Sequence, residues 1–350
     1  MTSFLTLTPN PALDIATSTE QVLPTHKLRC GTVLRYPGGG GINVARVLHR
    51  LGAAVEARAL VGGPAGAQLQ ALLQQEGVAC QMHAIAGDTR ENMSVLETRT
   101  GQEFRFVLPG PTVDHTQSQA LLEALLPTAE PGSQPARWII ASGSLPPGMP
   151  HDFYAQLAHA AQQQGVPLAL DTSGAALAAA LEVGVALVKP SLRELRDLLQ
   201  RPLNTVQECG DAAFTLVQQG AASTVAVSMG EQGAVLAHRH GVWHAPALEV
   251  PATTGTTGAG DCFLAALVWA LERGDTPPRG PALGRGCRGS RLAVARHRAG
   301  PGRRHPPPAR PGARAAGDHC GPLNRPTERI GAWDNSALFS WHGPVRPSSS

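Results

Sequence analysis

From Met1 to about Pro278, short β-branched or apolar runs alternate with Ala, Leu and Gln segments at helical spacing. That alternation marks parallel strands joined by crossover helices. The run Phe4-Leu5-Thr6-Leu7-Thr8 predicts a first strand, and residues 138–142, 167–171, 185–189 and 224–228 predict later ones. Between them, Phe153 to Gln164, Arg193 to Gln200 and Gln207 to Gln219 have the length and apolar spacing of helices. An open, doubly wound α/β sheet accommodates this order, and in such sheets ligands gather at the carboxyl ends of the strands. Gly, Ser, Asp and Lys residues cluster at those ends here.

Two segments, about 14–37 and 91–107, break the alternation. Ser94-Val95-Leu96-Glu97-Thr98 and Glu103-Phe104-Arg105-Phe106-Val107 alternate polar and apolar residues, as antiparallel strands with one wet face do. They predict a small β-sheet lid over the main sheet. After Pro278 no stretch keeps an apolar period, and Arg303-Arg304-His305-Pro306-Pro307-Pro308 suits neither a helix nor a central strand. Residues 279–350 are therefore expected to be an Arg/Pro/Gly-rich, disordered tail on a domain of residues 1–278.

Composition supports one large core: 350 residues, 42% hydrophobic and 16% charged. With only 4% aromatic residues the core must be filled by Ala, Leu and Val. The net charge of +3 hides an asymmetry, since residues 1–278 carry 16 basic and 23 acidic groups whereas residues 279–350 carry 13 arginines and 3 acidic groups. The basic pI thus describes the tail, and specific nucleic-acid binding does not follow from it. No apolar run reaches the ~18 residues of a membrane span, and no signal-segment pattern opens the chain, so no membrane association and a cytoplasmic address are expected. Six cysteines without CxxC spacing suggest neither a zinc site nor a disulfide framework.

Chemistry concentrates in two glycine-rich turns. Thr256-Thr257-Gly258-Ala259-Gly260-Asp261 precedes a helix-like apolar run, Cys262 to Leu271. Glycines before a helix let backbone N–H groups approach an anion, and the helix N-terminus adds partial positive charge. Asp261 in the first turn either takes a proton from an attacking hydroxyl or caps the helix, and the turn alone does not choose between them. Pro37-Gly38-Gly39-Gly40-Gly41-Ile42-Asn43-Val44-Ala45-Arg46 exposes amides before a second helix, where Asn43 offers donor and acceptor to a polyhydroxylated ligand; otherwise it is a flexible turn. It is neither a Walker A loop nor a dinucleotide fingerprint. Lys27 and Lys189 are the chain's two lysines, and Lys189 at a strand end suits a phosphate contact or plain solvation. Asp14 suits sugar hydroxyls or a turn, and Arg90 a phosphate clamp or a pair with Glu91. Ser228-Met229-Gly230-Glu231-Gln232-Gly233 suits a nucleotide-lining loop or a hairpin turn. The absence of HExxH and of a Gly-x-Ser-x-Gly elbow points away from zinc peptidases and hydrolases.

The two glycine turns together resemble the PfkB, or ribokinase-like, carbohydrate kinases. Thr8 to Asp14, Lys27 to Cys30, Phe104 to Gly110, Ser142 to Gly148 and Asp171 to Gly174 are similar to the minor-type 6-phosphofructokinases within that family. The resemblance covers about residues 1–278 and implies a three-layer α/β/α sandwich with a β-sheet lid. It implies that Asp261 is the base for the 1-hydroxyl of fructose 6-phosphate, with Gly258, Ala259 and Gly260 forming the anion hole for the γ-phosphate of ATP. Asp14, Gly39, Gly40, Asn43, Arg90 and Ser144 are implied as sugar-phosphate contacts, with Lys27 and Arg29 in the lid near the 6-phosphate. Lys189, Ser228, Gly230 and Gly233 are implied to face ATP, Glu194 to act on Mg²⁺ through water, and the lid strands to pair in a homodimer.

Two features depart from the family's pattern. Lys189-Pro190 is followed by Ser191-Leu192-Arg193-Glu194 where the family has Asn-x-x-Glu, and nothing after Pro278 resembles the family's closing helices. The second is expected of a reading-frame shift near residues 277–282, or of a catalytically impaired sugar-phosphate-binding protein with a basic tail. Rival substrates are fructose 1-phosphate and tagatose 6-phosphate; Gly40 favours fructose 6-phosphate, because those sister enzymes often carry Lys there.

Overall fold

The computed structural model describes residues 3–125, 136–247 and 258–274. The expectations for residues 279–350, and Thr256 and Thr257 of the second glycine turn, lie outside the described residues. In chain order the elements are β1 (Phe4–Thr8), β2 (Ala12–Thr19), β3 (Leu34–Gly38), α1 (Gly40–Arg50), β4 (Val55–Val61), α2 (Gly63–Gln75) and β5 (Ala79–Ala84). Next come β6 (Arg90–Glu97), β7 (Glu103–Phe106), α3 (His115–Leu125), β8 (Trp138–Ser142), α4 (Phe153–Gln163), β9 (Leu168–Asp171), α5 (Gly174–Val183) and β10 (Val185–Val188). The described chain closes with α6 (Leu192–Leu199), α7 (Val206–Gln218), β11 (Ala222–Ser228), β12 (Ala234–His238), β13 (Gly241–Ala245) and α8 (Ala259–Glu272). The five main-sheet strands and the helices read at 153–164, 193–200 and 207–219 are present with ends shifted by at most two residues, while α8 begins before the apolar run at Cys262 and β6 before Ser94.

Nine strands form one sheet in the order β13-β12-β11-β10-β9-β8-β1-β4-β5. β1 is buried along its whole length, with Phe4 in the core on one face and Leu5 and Leu7 in the core on the other. Such two-sided burial is what an internal parallel strand requires. Ile42, Leu48, Leu69, Leu264 and Val268 from α1, α2 and α8 fill the first core. Leu121, Leu157, Leu177, Leu195 and Leu216 from α3 to α7 fill the second, and each such buried leucine contributes roughly 1.5–3 kcal/mol. The result is a three-layer sandwich. Among the described residues no helix is long and apolar enough to cross a membrane.

β1 pairs in parallel with β4 on one side and β8 on the other. The chain winds outward through β4 and β5, then returns to lay β8 against β1, so the strand order reverses there. A crevice opens at the carboxyl ends of strands flanking such a reversal.

The lid is a four-stranded sheet, β3-β2-β6-β7. The expectation of antiparallel lid strands needs correction, because its central pair, β2 with β6, is parallel. β2 follows β1 and β6 follows β5, and β1, β4 and β5 run parallel in the main sheet. Chain leaving their carboxyl ends therefore runs the same way, and only the return strands β3 and β7 pair antiparallel.

Candidate active site

The carboxyl ends of β1, β8, β9 and β10 and the N-termini of α1 and α8 meet at the strand-order reversal. Gly40 opens α1 directly against Ser142, and a Cβ there would collide with the serine hydroxyl. The position must be bare. Gly258 opens α8 with φ 81, in the left-handed region that glycine adopts without steric cost. No side chain caps α8. Asp261 instead turns across to α1, where its Oδ2 accepts a hydrogen bond from Asn43 Nδ2 at 2.9 Å. Asp261 is therefore tied across the crevice to α1.

Burial, followed by the nearby charge of Asp171, pushes the Asp261 carboxyl up to about 7. The Asn43 hydrogen bond and Lys189 pull it back, while Asp14 adds to the rise. A carboxylate with that affinity is matched to accepting a proton near neutral pH. Folding consequently favours the protonated carboxyl. That stability is fully present below the ordinary value of 3.8 and is lost as pH rises through about 7. Asp261→Asn is expected to raise stability at pH 8 by roughly 2–4 kcal/mol, with the gain shrinking toward pH 5. Thermal melts at the two pH values check this.

Lys189 follows β10, is 4% exposed, and pairs with Asp171 at 3.0 Å. A Cβ on Gly260 would lie 3.3 Å from the lysine Nζ, so the ammonium sits beneath the first turn of α8. It adds fixed positive charge under the amides of Gly258, Ala259 and Gly260. Burial raises the Asp171 carboxyl above its ordinary value, and Lys189 and a hydrogen bond from Ser142 oppose that rise.

Asp14 lies on β2, where its Oδ1 accepts from Asn92 Nδ2 at 3.1 Å. Burial raises its carboxyl, against the Asn92 hydrogen bond and the charges of Arg105, Arg90 and Arg46. Gly38 packs on this carboxylate so closely that a Cβ would collide with it. Gly39 follows at φ 119, turning the chain into α1. Arg90 donates to the carbonyls of Asn10 at 2.9 Å and Leu108 at 3.1 Å, which replaces the surface pair with Glu91. The backbone thus holds the guanidinium between the end of β1 and the end of the lid. Asn10 Nδ2 reaches Ser144 Oγ at 3.4 Å.

Other predicted residues fall around this centre. The Ser228 amide donates to the Pro190 carbonyl at 3.1 Å, setting that loop beside Lys189. Gly230 begins a 3₁₀ turn and Gly233 ends it at φ 88, joining antiparallel β11 and β12. Glu194 Oε2 accepts from the Ser191 amide at 2.7 Å while Ser191 Oγ accepts from the Glu194 amide at 3.2 Å. Serine at 191 therefore starts α6 with a capping box. Lys27 and Arg29 lie on the exposed segment between β2 and β3, tied to β2 through Gly31 N–H and the Ser18 carbonyl at 2.8 Å. Sequence reasoning assigned no role to Asp171, Ser142, Asn92 or Arg105, all of which shape the electrostatics here. Asp171 ends an apolar strand, which was a visible signal; Asn92 and Arg105 meet Asp14 only through lid pairing.

A near-neutral carboxylate beside a bare helix N-terminus, at the reversal point of a doubly wound sheet, is an arrangement suited to phosphoryl transfer, as in the sugar kinases of ribokinase-like fold. The chain belongs to the pfkB family carbohydrate kinases, whose model matches residues 10–301. It is 44% identical over 270 residues to the ATP-dependent 6-phosphofructokinase isozyme 2 of Mycobacterium tuberculosis, covering 77% of this chain and 78% of that protein. To the 1-phosphofructokinase of Bacillus subtilis it is 32% identical over 270 residues, covering 77% and 85%. The crystal structure of phosphofructokinase-2 from Escherichia coli in complex with fructose-6-phosphate matches with TM-score 0.72 and 37% identity, covering 79% of this chain and 89% of that one.

Proposed function

We propose that the chain transfers the γ-phosphoryl group of ATP to the 1-hydroxyl of fructose 6-phosphate, giving fructose 1,6-bisphosphate and ADP. The observation that carries this is Asp261, raised to about 7 and held by Asn43 beside the amides that open α8. The hydroxyl proton passes to the Asp261 carboxylate as the new O–P bond forms, and the bond from the γ-phosphorus to the bridging oxygen breaks toward ADP. Gly258, Ala259 and Gly260 direct amides at the transferred group, and Lys189 beneath them offsets its charge. Asp14 and Asn43 engage sugar hydroxyls, Gly39 and Gly40 allow close approach, and Arg90 and Ser144 face the sugar phosphate. Ser228, Gly230 and Gly233 line the nucleotide.

Mg²⁺ bound with ATP would offset negative charge on its phosphates. Among the described residues no group of three or more His, Cys, Asp and Glu is placed to hold a metal. Asp171 is paired with Lys189, and one Glu194 oxygen is taken by the Ser191 amide. That donor set would suit contact with the cation through water, and Glu194 is the residue that would make it.

Gly40 favours fructose 6-phosphate over its rivals by resemblance, since the sister enzymes often carry Lys there; its packing against Ser142 does not itself choose among the sugars. ADP release with fructose 6-phosphate, fructose 1-phosphate and tagatose 6-phosphate tests the assignment. The highest kcat/KM is expected for the first, and a preference for either other sugar would overturn it.

The lid also supports a homodimer. Phe106, Val107 and Leu108 are 53%, 60% and 51% exposed, an apolar stretch of the kind that marks an interface. Lys27 and Arg29 lie on the same lid and would gain fixed positions from pairing. Phe106→Asp is expected to shift the protein from dimer to monomer in light scattering and to raise KM for the sugar phosphate; an unchanged mass would exclude this face.

A further inference from the structure

Asn43 does not stand alone. Its Oδ1 accepts from Arg46 Nη1 at 3.4 Å, one turn further along α1. Arg46 is itself fixed on both sides. Its Nε and Nη2 donate to Glu76 at 2.8 and 2.6 Å, and its Nη1 also reaches the Pro37 carbonyl at 3.3 Å. Glu76 ends α2 and draws a second cation, Arg50, at 3.4 Å. A continuous chain of hydrogen bonds thus runs from the end of α2 to the carboxylate of Asp261. Arg46 is buried, an uncommon location for arginine unless it is paired.

A guanidinium can only donate, and an ionised carboxylate can only accept. An amide between the two has one satisfactory orientation, with its oxygen toward Arg46 and its NH₂ toward Asp261. We propose that Arg46, clamped by Glu76, is a positioning residue that locks the Asn43 amide in the orientation donating to Asp261. This role rests on Asp261 being the base. Without Arg46 the amide is free to turn and offer its oxygen to a protonated Asp261, which favours the proton-bound, inactive form.

The groups facing Asp261 are Asp171, Lys189 and Asp14 as well as Asn43. Those facing Arg46 are Glu76, Asn43, Asp14 and Arg50. Asp14 offers another electrostatic route from Arg46 to the base, and it acts in the opposite direction. Removing Arg46 makes Asp14 easier to protonate, which lessens its repulsion and would move the acid limb of the rate profile down. Loss of the amide lock moves that limb up.

The test is kcat/KM against pH for the wild type, Arg46→Met, Asn43→Ala and the double variant. Each single variant is expected to move the acid limb up by about 0.5 unit or more, with no further movement in the double variant. Arg46→Lys, which keeps one donor for Asn43, is expected to recover part of the shift. An acid limb that stays in place or moves down in Arg46→Met, or shifts that add in the double variant, would overturn the role. Should Arg46→Met fail to fold, Glu76→Gln decides in its stead: an unmoved limb overturns the role. Asp261→Asn measured alongside separates the two ideas. Wild-type rates in that variant remove the base itself, whereas an inactive Asp261→Asn with an unmoved Arg46→Met limb removes only the positioning role.

Discussion

Asp261→Asn is expected to slow ADP release with fructose 6-phosphate and Mg-ATP by on the order of 10²–10⁴-fold, the usual contribution of a positioned general base. Asparagine keeps the shape and can still accept from Asn43, so the pocket, the α8 amides and Lys189 remain in place. What is lost is the capacity to take a proton. The deficit should therefore fall on kcat, with KM for either substrate little changed. The residual rate should also lack the acid limb expected of the wild type near pH 7, since the group raised to about 7 is gone. The expected gain in stability at pH 8 shows that the variant is folded and that inactivity is chemical. Wild-type rates in Asp261→Asn would take Asp261 out of the mechanism.

Lys189→Met is expected to cost stability on the order of 3–5 kcal/mol at pH 8, the penalty of stranding one partner of a buried ion pair. Asp171 would keep its Ser142 hydrogen bond but lose the cation 3.0 Å away, in a place where burial already disfavours its charge. The deficit should shrink as pH falls, because the folded-state value of Asp171, already raised, rises further and protonation removes the stranded charge. Asp171→Asn in the same chain should restore much of the stability. It should not restore activity, because the positive charge under Gly260 is still missing. Urea midpoints of the two variants at pH 8 and pH 6 test this. A single variant as stable as wild type would mean the pair contributes nothing to the fold.

The legibility of this site differed residue by residue. Asp261 was recognisable because it follows glycines and precedes an apolar run, a purely local pattern. Its alternative, an N-terminal cap, is just as local, and the bond from Asn43, 218 residues away in the chain, is visible only in the fold. Arg90 read in the sequence as a phosphate clamp or a pair with Glu91, but its grip on the carbonyls of Asn10 and Leu108 depends on where β1 and the lid end. Glu194 and Ser191 look like a weakened magnesium motif in the sequence and serve in the fold as a reciprocal helix cap.

By itself the sequence determined the elements and the chemistry available to them. Apolar periods of two and 3.6 residues depend on neighbours along the chain, and so do glycines that permit a sharp turn into a helix. Only the tertiary structure decided which of those groups act together. The parallel pairing of β2 with β6, the lysine beneath Gly260, and the line from Glu76 through Arg46 and Asn43 to Asp261 join residues far apart in the chain. The proton affinity of Asp261 is set chiefly by burial and by Asp171, and neither exists until the sheet and both helices have closed around it.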